Sequence, residues 1–210
     1  MVLVSSASSK TSFCFGQLAR DSGFKVIGLT SKKNLEWTRG LGVYDSVVGY
    51  DEIATLKHVV INTKGVIYVD VAGDVSIKKR VIAAAGGSRN VKKVVGVGIS
   101  HFDPQDNTTH SPTPESHKKG GKIDSELFFA PEWIKKRIAQ VGHVEVLKGV
   151  PRGWGLLMSR VKDWIKFQEF EGLEEGRRVY LDLLDDKARP SIGYIITQKA
   201  GNGMKQNAKL

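Results

Sequence analysis

Five short apolar runs punctuate the first hundred residues, at 2–4, 25–29, 46–48, 66–69 and 93–97, each rich in valine or isoleucine. Their apolar character is continuous rather than alternating, which is the pattern of strands buried on both faces. Between them, residues 10–21, 34–41 and 75–85 have helical spacing, and the first of these carries Phe13, Phe15, Gly16, Leu18 and Ala19 on a small and apolar surface. Strand and helix alternating from residue 1 predict an α/β fold of three layers, a mostly parallel sheet with flanking helices. Residues 101–124 turn to Pro, Asn, Asp, Thr, His, Ser and Gly and read as a long surface loop. Additional C-terminal helices are predicted at 131–141, 154–170 and 173–184, the middle one with Leu157, Val161, Trp164 and Ile165 on one face, and a last strand at 192–197. The expected organisation is a single domain over 1–198 and a flexible polar tail over 199–210.

Charge adds a constraint. The 210 residues hold 32 Lys and Arg against 22 Asp and Glu, a net charge of +10, so an anionic partner is expected: nucleic acid, a membrane surface or a phosphorylated ligand. One cysteine, Cys14, excludes an intrachain disulfide and leaves any zinc site to histidines and carboxylates. No apolar run approaches the roughly 18 to 20 residues needed to span a bilayer, and the first nine residues lack the basic start of a secretory signal. The expectation is a soluble protein of a reducing compartment, in which the sequon Asn107-Thr108-Thr109 is idle.

The first strand runs directly into Ser5-Ser6-Ala7-Ser8-Ser9-Lys10-Thr11-Ser12 and then a helix, the place where open α/β sheets bind phosphates through backbone amides and the helix dipole. Ser8-Ser9-Lys10-Thr11 imitates the end of a P-loop, but valine at 4 and serine at 9 stand where its glycines belong. A dinucleotide turn of the form G-x-x-G-x-x-G is the second reading, with Ser6, Ser9 and Ser12 in the glycine positions. A serine-rich helix cap is the third. Context comes from the end of the second strand. A carboxylate there would engage the ribose hydroxyls of NAD; this chain has Thr30-Ser31-Lys32-Lys33-Asn34, whose hydroxyls and ammonium groups suit the 2′-phosphate of NADP(H).

At this point the residues resemble a known family. Val2-Leu3-Val4-Ser5-Ser6-Ala7, Gln17-Leu18-Ala19, Leu41-Gly42-Val43-Tyr44-Asp45, Val47-Val48-Gly49-Tyr50 and Val69-Asp70-Val71-Ala72-Gly73 resemble the cofactor half of zinc-independent medium-chain dehydrogenases/reductases of the quinone oxidoreductase type. The likeness is closest to a branch known as the domain of unknown function 2855, with a similar Ser-Ala-Ser-Ser-Lys-Thr turn, Phe128-Phe129-Ala130-Pro131 and a closing Ala188-Arg189-Pro190. The resemblance implies a Rossmann fold that binds NADP(H) and transfers hydride to a small carbonyl, enone or quinone substrate. It implies that Ser6, Ala7, Ser8, Ser9, Lys10 and Thr11 face the pyrophosphate and that Ser31, Lys32, Lys33 and Asn34 surround the 2′-phosphate. It places Tyr50 against the adenosine ribose phosphate, Val71, Ala72 and Gly73 near the nicotinamide, and Gly98, Ile99 and Ser100 at the end of the fifth strand. In the family glycines usually fill the first turn, and a lysine is common where Asn34 stands. A GroES-like catalytic half also precedes the first strand in the family, whereas Met1 stands at the strand here. The chain therefore reads as a cofactor domain without its partner half, an enzyme if that half is supplied and otherwise a non-catalytic nucleotide-binding or interaction protein. No catalytic residue is identified.

Other features carry less. His101, His110 and His117 share the long loop with Asp103 and Asp106, but their spacings match no ligand frame, so no metal site is expected. Cys14 sits between Phe13 and Phe15 and reads as a packing residue. No tyrosine is followed four residues later by lysine, which excludes the short-chain dehydrogenase base. Lys118 to Lys122 and Lys135-Lys136-Arg137 lack interleaved aromatics, and nucleic acid is not the expected partner. The free edge of the strand at 192–197 would allow a homodimer. The ending Ala208-Lys209-Leu210 is close to the Ser-Lys-Leu address of the peroxisomal import receptor, which makes the peroxisomal matrix the expected location and the cytoplasm the alternative.

Overall fold

The computed structural model describes residues 1–97, 123–185 and 187–198. The chain divides into two compact units, Met1–Trp154 and Gly155–Leu210. In the first, β1 (Val2–Val4), β2 (Val26–Thr30), β3 (Ser46–Gly49), β4 (Val66–Asp70), β5 (Val91–Gly96) and β6 (Asp124–Leu127) form one sheet in the order β3-β2-β1-β4-β5-β6. Every pairing in it is parallel. The chain steps outward from β1 to β3 and then returns to β4, so the strand order reverses between β1 and β4, where open α/β sheets carry their ligand crevice.

The helices are α1 (Lys10–Asp21), α2 (Leu35–Gly40), α3 (Leu56–Val60), α4 (Val75–Ala84), α5 (Gly87–Asn90), α6 (Ala130–Val141) and α7 (His143–Trp164), within which the second unit begins. Alternation along the strands divides the sheet's faces. Leu3, Ile27, Leu29, Val66, Tyr68 and Val94 close a core with Leu56 and Val60 of α3 and Val81 of α4. Val2, Ile67 and Val69 turn the other way, toward Phe15 and Leu18 of α1. The doubly wound α/β architecture expected from the alternating pattern is present, and the predicted strands and first three helices appear within a residue or two of their expected bounds.

The second unit holds β7 (Lys166–Glu171), α8 (Leu173–Leu184) and β8 (Ile192–Thr197), a parallel strand pair around buried Ile165, Val179 and Ile192. Here the expected helix over 154–170 is corrected. The helix begins at His143, ends at Trp164, and gives way to β7. Lys166 to Glu171 contains good helix formers, yet all six residues pair with β8, Phe167 lies over Gly193, and the Phe170 and Tyr194 rings sit 5.9 Å apart. Strand pairing outweighs local propensity here. The loop expected over 101–124 lies outside the described residues except at its end, where Asp124 opens β6. The tail 199–210 lies outside them too.

Two packing features hold the carboxyl edge of the sheet. Buried Tyr44 donates from its hydroxyl to the Ala7 carbonyl at 2.9 Å, and the close approach of its ring explains two glycines. A Cβ on Gly16 would stand 2.6 Å from the Tyr44 ring, and one on Gly28 would stand 3.0 Å from the same ring and 2.8 Å from the Ala7 side chain. The second feature is a clamp between β1 and β4. The Ser5 hydroxyl donates to Asp70 Oδ1 at 3.0 Å and accepts from the Val71 and Ala72 amides, both at 2.9 Å. Asp70 Oδ1 also accepts from the Tyr68 hydroxyl at 3.2 Å and the Gly73 amide at 3.1 Å. Ser5→Ala takes a donor from a buried carboxylate and the acceptor from the Ala72 amide, so it is expected to lower the unfolding free energy by about 2–3 kcal/mol. Urea denaturation followed by circular dichroism measures this, and an unchanged midpoint would contradict the clamp.

Candidate functional site

Because all six strands run the same way, the turns after β1, β2, β3 and β4 gather along one edge of the sheet. The first is tightly organised. Ser6 has φ +48°, the one non-glycine residue with positive φ among the described residues. Its amide donates to the Tyr50 hydroxyl at 2.7 Å and its carbonyl accepts from the Ser9 amide at 2.7 Å. Ala7 donates through its amide to the Leu29 carbonyl at 2.9 Å, tying the turn to β2. Ser9 caps α1: its hydroxyl accepts from the Ser12 amide at 3.2 Å and donates to the Ser12 hydroxyl at 2.9 Å, which donates in turn to the Ser5 carbonyl at 2.8 Å. Of the three serines in glycine positions, Ser6 takes the left-handed conformation that glycine adopts without strain, while Ser9 and Ser12 cap and tether the helix.

Lys10 and Thr11 open α1 and are exposed, and no acidic side chain stands in its first turn. Crowding around the Lys10 amine lowers its pKa from the ordinary lysine value through desolvation. A cation at the positive pole of a helix is repelled by the dipole. An anion at that end would offset the repulsion between the Lys10 charge and the dipole.

Ser8 connects this turn to the next. Its hydroxyl accepts from Thr30 Oγ1 and Asn34 Nδ2, each at 3.2 Å. Ser31 precedes a single helical turn over Lys32–Asn34, in which the Lys32 and Lys33 side chains are exposed. Residues 30–34 contain no carboxylate. Tyr50 reaches in from the end of β3, with its carbonyl accepting from Arg80 at 2.5 Å. Burial raises the Tyr50 phenol above its ordinary pKa; the Ser6 hydrogen bond opposes this, and Asp70 and Asp74 add to it, so the group is a neutral hydroxyl near pH 7.

Val71, Ala72 and Gly73 follow β4, and their amides are turned inward onto Ser5 and Asp70. Gly98 and Ser100, with Ile99, lie outside the described residues, as do His101, His110, His117, Asp103 and Asp106. Hydrogen bonds thus link Ser6 to Tyr50, Ser8 to Asn34 and Ser5 to the Val71–Gly73 turn. Ser5, Tyr44 and Asp70 belong to the same construction and were not among the expected site residues. A lone carboxylate ending an apolar strand was a readable signal at Asp70, because a buried charge requires donors. Cys14 is half-buried on α1, and burial raises its thiol pKa, which suits packing rather than nucleophilic chemistry.

The fold is shared with solved structures. CurA from Vibrio vulnificus, crystallised with NADPH, superposes with a TM-score of 0.58 at 15% identity, over 94% of this chain and 56% of its own. A putative NADPH:quinone reductase from Bacillus thuringiensis gives 0.54 at 14% identity, over 91% and 54%. YhdH from E. coli K-12, with bound NADPH, gives 0.51 at 16%, over 92% and 53%. The chain thus spans about half the length of the structures it matches. No match is found among the curated proteins. A family model extends the comparison over nearly the whole chain: through residues 1–189 the protein belongs to the family described as Protein of unknown function (DUF2855).

Proposed function

We propose that the chain binds NADP(H) at the carboxyl edge of the β1–β4 region and is the cofactor half of an oxidoreductase acting on a small carbonyl, enone or quinone. The observation that carries this is the joined pair of turns. A turn of Ser6 to Ser9 at the start of α1, with Lys10 beside it, is bonded through Ser8 and Asn34 to a turn bearing two lysines and no carboxylate. That two of the solved relatives hold NADPH supports the same reading.

In this arrangement the Ser6 to Thr11 turn and the positive end of α1 bind the pyrophosphate, and Lys10 adds charge. Ser31, Lys32 and Lys33, with Asn34 steadied by Ser8, surround the 2′-phosphate. Tyr50 lies against the adenosine ribose phosphate and holds the Ser6 turn in shape. When bound, the nicotinamide supplies the hydride, and the Val71–Gly73 turn supports its face. A substrate must also be held against that face, and the effective concentration gained by holding it supplies much of the rate. The ending Ala208-Lys209-Leu210, outside the described residues, is proposed as a peroxisomal address, supported by its small-basic-leucine form.

Titration calorimetry is expected to show NADPH binding more tightly than NADH. Absence of binding by both at millimolar cofactor would overturn the dinucleotide reading, and a preference for NADH would overturn the role of the lysines. Replacing both lysines, Lys32→Glu with Lys33→Glu, is expected to weaken NADPH by about 10- to 100-fold while NADH changes little, since charge-assisted bonds contribute about 1.5–3 kcal/mol. The 210-residue chain alone is expected to bind NADPH without oxidising it when quinones and enals are added. Sustained NADPH consumption at 340 nm would show instead that these residues complete a substrate site by themselves.

A further inference from the structure

Position 6 holds a conformation that its residue does not favour. Among the described residues every other positive-φ position is a glycine, whereas Ser6, at φ +48°, carries a side chain. Left-handed backbone is strained for any residue with a Cβ and free of strain for glycine. Two contacts oppose the strain. The Ser6 carbonyl accepts from the Ser9 amide at 2.7 Å, a bond made within the turn. The Ser6 amide donates to the Tyr50 hydroxyl at 2.7 Å, across 44 residues of sequence. Tyr50 is fixed independently of the turn it serves: its side chain packs against the core that holds Leu3, Ile53 and Tyr68, and its carbonyl accepts from Arg80 of α4 at 2.5 Å. Tyr44, at the other end of β3, bonds the next residue through the Ala7 carbonyl at 2.9 Å. Ala7 has no positive φ, and its carbonyl is one that any residue would offer. Tyr44 therefore tethers the turn, and Tyr50 is the contact that holds the unfavourable residue in place.

We propose that Tyr50 is a positioning residue for the pyrophosphate turn, and that its hydroxyl is required because residue 6 is not glycine. With the bond in place Ser6 keeps its left-handed backbone, the bond to Ser9 closes, and Ser9 stands at the cap of α1. Without it Ser6 relaxes toward ordinary φ and carries Ser8 and Ser9 with it. A ligand bonded to backbone amides tolerates a misplacement of only about 0.5 Å, so a relaxed turn binds phosphate weakly. The same bond withdraws the Ser6 amide from any ligand, which must take its backbone donors from further along the turn. The proposal rests on reading this edge as a dinucleotide site. It adds that affinity there depends on a pair of residues 44 apart, in which a hydroxyl does what the conformational freedom of glycine would do. The Tyr50 ring is free to lie against the ligand; its hydroxyl acts through Ser6.

The test is Tyr50→Phe, which keeps the ring and removes the hydroxyl, made in three backgrounds: the unaltered chain, Ser6→Ala, which keeps a Cβ, and Ser6→Gly, which does not. Each pair is compared by NADPH titration calorimetry and, without ligand, by urea denaturation. Tyr50→Phe is expected to weaken NADPH about tenfold in the unaltered chain and in Ser6→Ala, and less than about twofold in Ser6→Gly. The urea midpoint is expected to fall in the same pattern. Equal losses in all three backgrounds would overturn the proposal, assigning the hydroxyl to the ligand itself or to the fold at large, as would failure of Tyr50→Phe to fold in every background. A loss that Ser6→Ala abolishes as fully as Ser6→Gly would overturn it too, assigning the effect to the Ser6 hydroxyl rather than to its backbone. The two measurements separate this inference from the reading beneath it. If none of the chains binds NADPH, the cofactor reading falls, and the ligand-free midpoints decide the dependence of Ser6 on Tyr50: a loss confined to backgrounds with a Cβ retains it, and equal losses remove it. NADPH binding unmoved by Tyr50→Phe would remove the positioning role and leave the cofactor reading.

Discussion

The hydroxyl of Ser5 is the contact on which the candidate site depends. The strand order reverses between β1 and β4, so no crossover helix joins their carboxyl ends directly, and the crevice formed there needs another means of staying in register. Ser5, fully buried, supplies it by bonding to Asp70 and to two amides of the turn that follows. Asp70 is 3% exposed, and a carboxylate so deep in a sheet is tolerable only when its oxygens are met by donors. Three donors meet Oδ1: the Ser5 hydroxyl, the Tyr68 hydroxyl and the Gly73 amide. Burial and the neighbouring carboxylate both push the Tyr68 phenol upward, so it keeps the proton it donates. The arrangement places negative charge beneath a turn proposed to bind phosphates. Lys10, the positive end of α1 and the pair Lys32 and Lys33 stand on the ligand side of that charge and oppose its field.

Serine in place of glycine alters the turn in a specific way. Left-handed backbone costs a residue with a side chain about 1–2 kcal/mol, and Ser6 accepts that conformation because its amide and carbonyl are both engaged, by Tyr50 and by Ser9. Two such bonds contribute about 1 kcal/mol each, enough to offset the strain. Tyr50 therefore does more than line the crevice: it holds the backbone of the phosphate turn. The polar side chains that replace glycines at positions 9 and 12 are consumed in capping and tethering α1. The hydroxyl left facing the second turn is that of Ser8, whose two bonds are accepted rather than donated.

How much of this was legible follows from which interactions are local. Strands β1 to β5 and α1 were readable because a buried parallel strand has a continuous apolar run and α1 starts on its own cap. That the turns after β1 to β4 share one edge was readable for the same reason, since a parallel sheet sends all its strand ends to one side. The clamp was not, because Ser5 and Asp70 are 65 residues apart and only the fold brings them together. Residues 166–171 failed in the opposite sense: Lys, Gln and Glu suit a helix locally, and the pairing with 192–197 that makes them a strand is non-local. The edge strand β6 escaped notice because Asp124-Ser125-Glu126-Leu127 has too little apolar pattern to announce itself, and it is held by pairing with β5 and by the bridges from Lys93.

On the face of the sheet that α1 covers, a groove lined by Phe15, Leu18, Ile67, Val69 and Val95 shares residues with the candidate site. Val71 belongs to both: its amide is turned onto Ser5, and its side chain lines the carboxyl end of the groove. Thr11 is likewise both in the first turn of α1 and on the groove wall. The groove therefore meets the turns after β1 and β4 that frame the proposed dinucleotide, and the Ser5 clamp fixes the backbone of the second. Because the clamp bonds Asp70 and the Val71 and Ala72 amides directly to Ser5, it holds the turn after β4 against β1 whatever occupies the groove.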